Sequence, residues 1–268
     1  MQLVLCALFV LPVVGCLVSM SLAPDPVRDF VQPRYPGLRT LHHDPPVWNV
    51  DNFLSQEECL ALVDAAESGA LPPIPYGRKH KIFTGTKWAA HGEAVAQPFL
   101  ERCCQFYGDL PAERFEPVTV TRYREGEYQA EHLDARLGQS KRDAAYVRSG
   151  GQRLAQLIVY LQEPERGGET RFFKPCFGGL AVPPKAGMAL VFPAATLDGT
   201  PDKRFLHSGE PVVAGTKWIV GTWLLEHERG DGEEVDAAVA AMWKLARSPP
   251  PPPPPPPLFS FPELPKLF

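Results

Sequence analysis

The chain has 268 residues, of which 44% are hydrophobic and 22% are charged, as in an ordinary globular protein. It is long enough to bury one sizeable core and to carry appendages outside it. The formal net charge of -4 and the pI near 6.0 provide no general attraction to nucleic acid or to an anionic membrane, and no basic stripe overrides that balance. Nucleic acid is therefore not expected as a partner.

The N-terminal segment is strongly apolar. Residues 1–20 contain no charged side chain and are long enough to cross a bilayer, while Pro12 and the small residues near Gly15 also suit a cleaved leader. We therefore interpret residues 1–22 as a signal peptide or a signal anchor, and either interpretation directs the chain to the secretory pathway. Residues 23–46 are rich in proline and charge without periodicity, and this composition is typical of a linker.

Two helices are predicted before the β-rich part of the chain. The first is expected to begin at Ser55, whose side chain can cap the helix with Glu58 at the third helical position. The second is predicted over residues 93–107, where apolar side chains recur on one face. Residues 71–91 contain proline, glycine and lysine, and they are interpreted as a surface loop.

Short β-rich runs alternate with glycine and proline from Phe115 onward. This pattern predicts an antiparallel double-stranded β-helix, or jelly roll, with helices packed outside it and a metal inside. The predicted fold class is therefore mixed α/β and mainly β, with supporting N-terminal helices. Residues 138–151 are polar and flanked by glycine, and they are expected to form a mobile lip of the active site.

The C-terminal part of the chain, residues 229–268, is predicted to lie outside this domain. Residues 233–247 carry apolar side chains at helical spacing, which favours a helix docked on its own domain. Residues 249–257 are all proline and predict a stiff polyproline II rod. Such a tract serves either as a spacer or as the ligand of a proline-reading partner.

A candidate metal site lies in the stretch YREGEYQAEHLD. His132 and Asp134 are two residues apart there, and His207 lies far downstream. Side chains at i and i+2 of a strand leave the same face, so the first two can bind one ion from one side. Two imidazoles and one carboxylate form a facial ligand set that leaves positions open on Fe(II) for a substrate and O2. The alternative is a surface histidine beside a solvated aspartate.

Lys217 lies ten residues after His207, within an apolar strand pattern. A buried ammonium group without an anionic partner is strongly unfavourable, so this side chain needs a negative charge beside it. A dicarboxylate cosubstrate would provide that charge. The alternative is a strand lysine at a solvent-exposed edge.

Five motifs in order resemble the prolyl 4-hydroxylases, which are oxygenases that depend on Fe(II) and 2-oxoglutarate. The resemblance covers residues 46–227 and indicates a catalytic domain over residues 47–228. The motifs are DNFLSQEEC (51–59), Y-x-x-G ending in H-x-D (123–134), GGQRLAQLIVYL (150–161), GGETRFF (167–173) and H-x-G-x-P-V-x-x-G-x-K-W (207–218).

The resemblance implies hydroxylation of peptidyl-proline to 4-hydroxyproline, coupled to decarboxylation of 2-oxoglutarate to succinate with O2. The catalytic residues would be His132, Asp134 and His207, which would hold a mononuclear Fe(II), together with Lys217. The resemblance also implies ascorbate as a further cofactor and a proline-rich peptide or protein as substrate. By the same resemblance the chain would work in the lumen or membrane of the endoplasmic reticulum.

Four further site residues are assigned by resemblance. Tyr123 and Thr170 would contact 2-oxoglutarate together with Lys217, Arg153 would contact the peptide, and Trp223 would border the pocket. Each of the four has a purely structural alternative. In the family a mobile loop near residues 71–91 closes over the peptide.

The chain departs from the family pattern at one pocket position. An aromatic residue usually lies three positions before the proximal histidine, whereas this chain has Gln129, with Tyr128 beside it. If Tyr128 does not replace the aromatic residue, peptide recognition is expected to differ.

Two other functions compete with proline hydroxylation. The first is a 2-oxoglutarate oxygenase that acts on another residue or on a small molecule. The second is a non-catalytic β-helix binding module with a polyproline tail, which metal retention would distinguish from an enzyme. Four cysteines of the domain could pair in an oxidising lumen, and the chain has no C-x-x-C motif of a zinc site. These cysteines are Cys59, Cys103, Cys104 and Cys176.

The spacing between the distal histidine and the lysine also makes a geometric prediction. If residues 214–215 form a two-residue hairpin turn, simple alternation places His207 on the wrong face to share a pocket with Lys217. An irregularity is therefore predicted within residues 208–211, where glycine and proline are the residue types that bulges tolerate.

Overall fold

A computed structural model describes residues 31–74, 83–137, 147, 150–196 and 198–229. This part of the chain contains two α-helices and fourteen strands, so the prediction of a mainly β fold with few helices is confirmed. None of the helices in these ranges has the length and apolarity needed to cross a membrane. The interpretations of residues 1–22, 233–247 and 249–257 lie outside the described residues, as does most of the predicted lip. The predictions of a linker over residues 23–46 and of a surface loop over residues 71–91 are wrong in part, because residues 38–43, 73–74 and 86–89 form strands of the eight-stranded sheet.

Both predicted helices form. Helix α1 spans Gln56–Glu67, and the Ser55 hydroxyl accepts a hydrogen bond from the Glu58 backbone N–H while the Glu58 carboxylate accepts one from the Ser55 N–H. The predicted cap is therefore confirmed. Helix α2 spans Gln97–Phe106 and follows a 3-10 turn at Ala94–Ala96. It begins later than predicted because a proline occupies its first turn, where an N–H is not needed.

The fourteen strands form three sheets in which all the paired strands are antiparallel. The major sheet has the order β1-β2-β11-β7-β14-β5-β4-β3, the minor sheet has the order β10-β9-β12-β6, and β13 pairs with β8. The strands are β1 Leu38–His43, β2 Pro46–Val50, β3 Pro73–Ile74, β4 Thr86–Ala89, β5 Thr119–Tyr123, β6 Gln129–His132, β7 Arg153–Gln162, β8 Arg166–Gly167, β9 Thr170–Phe172, β10 Ala181–Val182, β11 Ala189–Pro193, β12 His207–Gly209, β13 Val212–Ala214 and β14 Lys217–Leu225.

The central strand β7 separates two hydrophobic clusters. Its Leu157 and Val159 pack with the helices on one face of the major sheet, whereas Ile158 and Tyr160 pack against the minor sheet on the other. A strand that is buried on both faces needs a nearly continuous apolar sequence, which is why LAQLIVYL does not alternate between apolar and polar residues. The helices therefore cover one face of the major sheet. The other face lies against the minor sheet, and a site can form between the two sheets.

The chain is interrupted where the irregularity was predicted. Strand β12 ends at Gly209 and pairs within the minor sheet, whereas β13 begins at Val212 and pairs with β8. Residues 215–216 join β13 to β14 of the major sheet, and these two strands are not paired, so residues 214–215 do not form a hairpin turn. Because the chain changes sheet at residues 210–211, the alternation of side chains between the two faces starts anew in β13. This change confirms the predicted irregularity.

The four cysteines of the described domain are free. Burial raises the pKa of the Cys59 thiol to about 11 and that of Cys103 well above its usual value. These two thiols are therefore protonated at physiological pH and contribute to the apolar core, as expected of unreactive buried cysteines.

Candidate active site

The structure brings the three predicted metal ligands together at one end of the minor sheet. His132 ends β6 and His207 begins β12, and the two residues are directly paired across the ladder, so their side chains share a face. Asp134 lies two residues after His132, in a bend beyond the strand. One ligand atom from each of the three residues lies within 4.8 Å of the others, so one ion placed among them can contact all three.

Backbone carbonyls orient both imidazole rings. Nδ1 of His132 lies 2.8 Å from the carbonyl oxygen of Ala130, and Nδ1 of His207 lies 2.9 Å from that of Phe205. Because a carbonyl oxygen only accepts, each Nδ1 is assigned the proton, and each Nε2 keeps a lone pair for a metal. The two Nε2 atoms lie 3.5 Å and 3.6 Å from the carboxylate oxygens of Asp134.

The charges at this cluster fit a divalent cation. Burial acts to raise the pKa of the Asp134 carboxyl, but the neighbouring His207 and His132 lower it well below its usual range, so the group is ionised. Burial lowers the pKa of His207 to about 4, and Asp134 opposes this shift only in part. Asp134 Oδ2 is buried and makes no hydrogen bond in the described part of the chain. A buried anionic oxygen without a donor, beside two imidazole lone pairs, suits Fe(II).

A cavity with about 330 Å³ of empty space, part of it open to solvent, lies beside the cluster. His132 and His207 line it together with Lys217, which is the first residue of β14. Ile158 and Ile219 provide apolar walls. The cavity is therefore lined by two of the predicted metal ligands and by the predicted cosubstrate lysine.

Lys217 is 3% exposed and donates from Nζ to the carbonyl oxygen of Gly168 over 2.6 Å. The ammonium also lies 5.3 Å from the centre of the Tyr123 ring and 5.6 Å from that of Tyr160. Burial lowers the pKa of Lys217 to about 8, and the charge of Glu169 opposes this shift only in part. Among the described residues no carboxylate forms an ion pair with this lysine, so an anionic group entering the cavity would supply the missing charge.

The predicted cosubstrate contacts lie in the same cavity. Tyr123 is directly paired with Lys217 between β5 and β14, and Thr170 begins β9. The Thr170 hydroxyl is hydrogen-bonded to the Tyr160 hydroxyl over 2.9 Å. Tyr160 was not predicted as a site residue, because a tyrosine within the apolar run LIVYL is usually a core residue. Alternation along β7 could have found it, because Tyr160 lies two residues after Ile158, which lines the cavity, and therefore faces the same side of the strand.

Gln129, and not Tyr128, lines the cavity at the position where the family usually has an aromatic residue. The Tyr123 hydroxyl donates to Gln129 Oε1 over 3.1 Å. The amide nitrogen of Gln129 lies 2.9 Å from Nε2 of His132 and donates to it, since the ring proton is on Nδ1. A polar amide therefore links a predicted cosubstrate contact to a metal ligand.

Arg153 and Trp223 lie together, and neither lines the cavity. The Arg153 guanidinium lies 3.6 Å from the centre of the Trp223 ring. Arg153 also donates to both carboxylate oxygens of Glu116, over 2.7 Å and 2.6 Å, and to the carbonyl oxygen of Asp134 over 3.3 Å. The contact of Arg153 and Trp223 with a peptide stays a prediction. Glu116 was not predicted, because it lies in no motif of the sequence.

Comparison with known proteins agrees with this geometry. Residues 118–225 match the family model described as the 2OG-Fe(II) oxygenase superfamily. This class of enzyme uses Fe(II) and 2-oxoglutarate, for which the cluster and the lysine are the corresponding features. The fold and the site therefore define a 2-oxoglutarate-dependent oxygenase.

The similar proteins identify the family within this class of oxygenases. The chain is 32% identical over 201 residues to probable prolyl 4-hydroxylase 10 of Arabidopsis thaliana, covering 66% of this chain and 68% of the relative. It is 31% identical over 148 residues to a putative prolyl 4-hydroxylase of Acanthamoeba polyphaga mimivirus, covering 53% and 57% of the two chains. It also resembles the solved viral collagen prolyl hydroxylase of Paramecium Bursaria Chlorella virus-1 in its 2OG complex, with a TM-score of 0.54, 30% identity and coverage of 67% of this chain and 95% of that one. The chain belongs to the prolyl 4-hydroxylase family.

Proposed function

We propose that the chain hydroxylates peptidyl-proline to 4-hydroxyproline and couples this reaction to the decarboxylation of 2-oxoglutarate to succinate with O2. The observation that carries the proposal is the cavity that His132, His207 and Lys217 line together, in a member of the prolyl 4-hydroxylase family. Fe(II) held by the two histidines and Asp134 would supply the activation of O2.

The residues of the chain bind and orient the reactants. Two imidazole Nε2 atoms and the ionised Asp134 carboxylate would hold the metal, and the carbonyls behind Nδ1 fix the two rings. The Lys217 ammonium binds the distal carboxylate of 2-oxoglutarate, and Tyr123 and Thr170 offer hydroxyl groups beside it. The apolar walls of the cavity limit the access of water to the reacting groups.

A proline-rich peptide is the substrate class that we assign. The relatives are named prolyl 4-hydroxylases, and the viral enzyme is named a collagen prolyl hydroxylase. A polyproline II peptide loses little entropy on binding, because its backbone is already extended and lacks internal hydrogen bonds. On the family resemblance, Arg153 and Trp223 border the peptide, and residues 249–257 of this chain have a sequence of the same type.

The test is to incubate the purified chain with Fe(II), 2-oxoglutarate, O2 and a panel of proline-rich peptides, including one copied from residues 249–257. Mass spectrometry should locate one added oxygen on a proline, and amino-acid analysis should identify 4-hydroxyproline. The matched control is the His207→Ala variant, which lacks one metal ligand. A parent chain that consumes cosubstrate but adds oxygen to none of the peptides would contradict the proposed substrate.

A second candidate function is a 2-oxoglutarate oxygenase that acts on another residue or on a small molecule. It is favoured by Gln129, which places an amide in the cavity where the family usually has an aromatic residue. Consumption of 2-oxoglutarate that rises with a small molecule, and not with any peptide, would select this function.

For the fold, we propose that the major and minor sheets are the two sheets of a double-stranded β-helix, or jelly roll. Antiparallel pairing in both sheets supports the proposal, as does the edge-to-face contact of Phe172 in β9 with Phe192 in β11, whose ring centres are 5.1 Å apart. A crystal structure in which the two sheets do not close around the metal ligands would contradict it.

We also propose that the chain works in the secretory pathway, in the lumen or membrane of the endoplasmic reticulum, and uses ascorbate as a further cofactor. The supports are the uncharged residues 1–20 and the resemblance to family members that work there. Protease protection of the full chain in microsomes, compared with a chain lacking residues 1–22, would test the location. Loss of protection in both would contradict it.

A further inference from the structure

A buried carboxylate outside the metal cluster is connected to that cluster by hydrogen bonds through an arginine. Glu116 is 6% exposed, and its two oxygens accept three charge-assisted hydrogen bonds from arginines. Arg153 donates from Nε and Nη2 over 2.7 Å and 2.6 Å, and Arg136 donates from Nη2 over 2.7 Å. Two parallel bonds from one guanidinium hold the arginine in a single orientation.

The backbone of Glu116 is fixed as well. Its N–H donates to the carbonyl oxygen of Trp223 over 2.9 Å, and its own carbonyl accepts from the Thr222 hydroxyl over 2.7 Å. Both partners lie in β14 of the major sheet. Glu116 is therefore anchored to β14, which lies outside the bend that carries the metal ligand.

Arg153 connects the anchored Glu116 to the metal site. Its Nη1 donates to the backbone carbonyl of Asp134 over 3.3 Å while its other donors hold Glu116. Its guanidinium lies against the Trp223 ring, which limits motion out of the plane. Asp134 needs this support because it lies in a bend beyond the end of β6, outside the strand ladder.

Arg136 and Gln152 hold the same bend two residues further along. Gln152 accepts from the Arg136 backbone N–H over 2.7 Å and donates to the Arg136 carbonyl oxygen over 2.9 Å. The Arg136 side chain forms an ion pair with Glu116. The segment from Asp134 to Arg136 is thus held at its first residue by Arg153 and at its last by Gln152 and Glu116.

We propose that Glu116 is a positioning residue for the metal ligand Asp134 and acts through Arg153, so that metal affinity depends on an ion pair that does not touch the metal. Partners of metal ligands commonly have this effect on affinity. The proposal extends the role of Arg153 beyond the peptide contact that the family resemblance implies. It rests on the metal site of the proposed function but not on the identity of the substrate.

The test measures binding of Co(II), a redox-stable substitute for Fe(II), to the full chain without peptide, 2-oxoglutarate or O2. The variants are Glu116→Gln, which removes the charge at nearly constant shape, and Arg153→Lys, which keeps the charge but loses the fork of donors. We expect both to raise the Kd for Co(II) about 10-fold or more and to change the visible spectrum of the bound ion. The change of spectrum reports ligand geometry, which a loss of general stability would not alter.

The matched control is Glu58→Gln. Glu58 accepts two bonds of 2.9 Å from Arg102 between α1 and α2, away from the metal site, and glutamine preserves the helix cap. We expect this variant to bind Co(II) as the parent does. If Glu116→Gln does not fold, Arg153→Lys decides the test alone.

A folded Arg153→Lys variant with the Kd and spectrum of the parent overturns the proposal, and so does a control variant that weakens Co(II) equally. Because the measurement needs no substrate, its outcome is independent of proline hydroxylation. A chain that shows the expected Co(II) effects but modifies no peptide would reject the proposed function and leave the role of Glu116 standing.

Discussion

The amide nitrogen of Gln129 lies 2.9 Å from Nε2 of His132, the atom with which this histidine would bind the metal. The same amide accepts from the Tyr123 hydroxyl through its oxygen. Because Nε2 has one lone pair, metal binding at this atom requires the Gln129 N–H to leave His132. Gln129 thus connects the metal end of the cavity to its cosubstrate end.

Replacing Gln129 with leucine should tighten metal binding. Leucine has a similar size but cannot donate to His132, so the metal no longer competes with a hydrogen bond worth about 0.5 to 1.5 kcal/mol. We expect a lower Kd for Co(II) in Gln129→Leu than in the parent, measured by the visible absorption of the bound ion. Weaker binding would mean that the amide supports the metal site instead of competing for it.

Removal of any one metal ligand should abolish turnover. His132→Ala, Asp134→Ala and His207→Ala each leave two ligands and a spoiled geometry, so decarboxylation of 2-oxoglutarate should fall to background. The measurement is succinate formation with saturating peptide, accompanied by a Co(II) titration to show that the metal is lost. Substantial activity in all three variants would eliminate the metal assignment.

Lys217→Ala should weaken 2-oxoglutarate. The variant leaves a carboxylate unpaired in a partly dry pocket, which costs roughly 2 to 5 kcal/mol of binding energy. The KM for 2-oxoglutarate should rise accordingly, whereas Lys217→Arg, which keeps the charge, should lose less. The Kd for Co(II) serves as the control because Lys217 is not a metal ligand. An unchanged KM in the alanine variant would refute the role of the lysine.

The same lysine predicts a pH dependence. Burial lowers the pKa of Lys217 to about 8, so the ammonium is present below that pH and is lost as the pH rises through it. The kcat/KM for 2-oxoglutarate, which reports on the free enzyme, should therefore decline above about pH 8. In Lys217→Arg the decline should disappear from this range, because a guanidinium stays charged. A parent profile that stays flat up to pH 10 would contradict the prediction.

Gly209→Ala should reduce cosubstrate binding without unfolding the protein. A Cβ at this position would lie 3.6 Å from Cβ of Gln129 and 3.9 Å from Nζ of Lys217, which are ordinary contact distances. The backbone can therefore accept the methyl group, but the methyl occupies the cavity. We expect a higher KM for 2-oxoglutarate with a Tm close to that of the parent. A parent-like KM would show that the cosubstrate does not pass this point.

The metal ligands and the cosubstrate lysine could be predicted from the sequence because their chemistry is visible in residue type and short spacing. An H-x-D pair is expected to share a strand face by simple alternation, although Asp134 lies in a bend just beyond the end of β6. A lysine in an apolar strand calls for a negative charge. An interruption between His207 and Lys217 was predicted from the same alternation on the premise of a hairpin turn at residues 214–215, but in the structure it arises because the chain changes sheet between β12 and β13. The direct pairing of His132 with His207 required the sheet, because β6 and β12 are distant in the chain.

Tertiary structure alone decided the contacts that carry no local pattern. Glu116 meets Arg153 across 37 positions of sequence, and Tyr160 meets Thr170 between two sheets. In the sequence, a glutamate that positions a site cannot be told from a surface glutamate, and a tyrosine beside a site cannot be told from a core tyrosine, because only their partners in the fold distinguish them. The sequence by itself thus predicted which groups would perform the chemistry, whereas the fold decided which groups hold them in place, since positioning depends on distances between strands that no local spacing encodes.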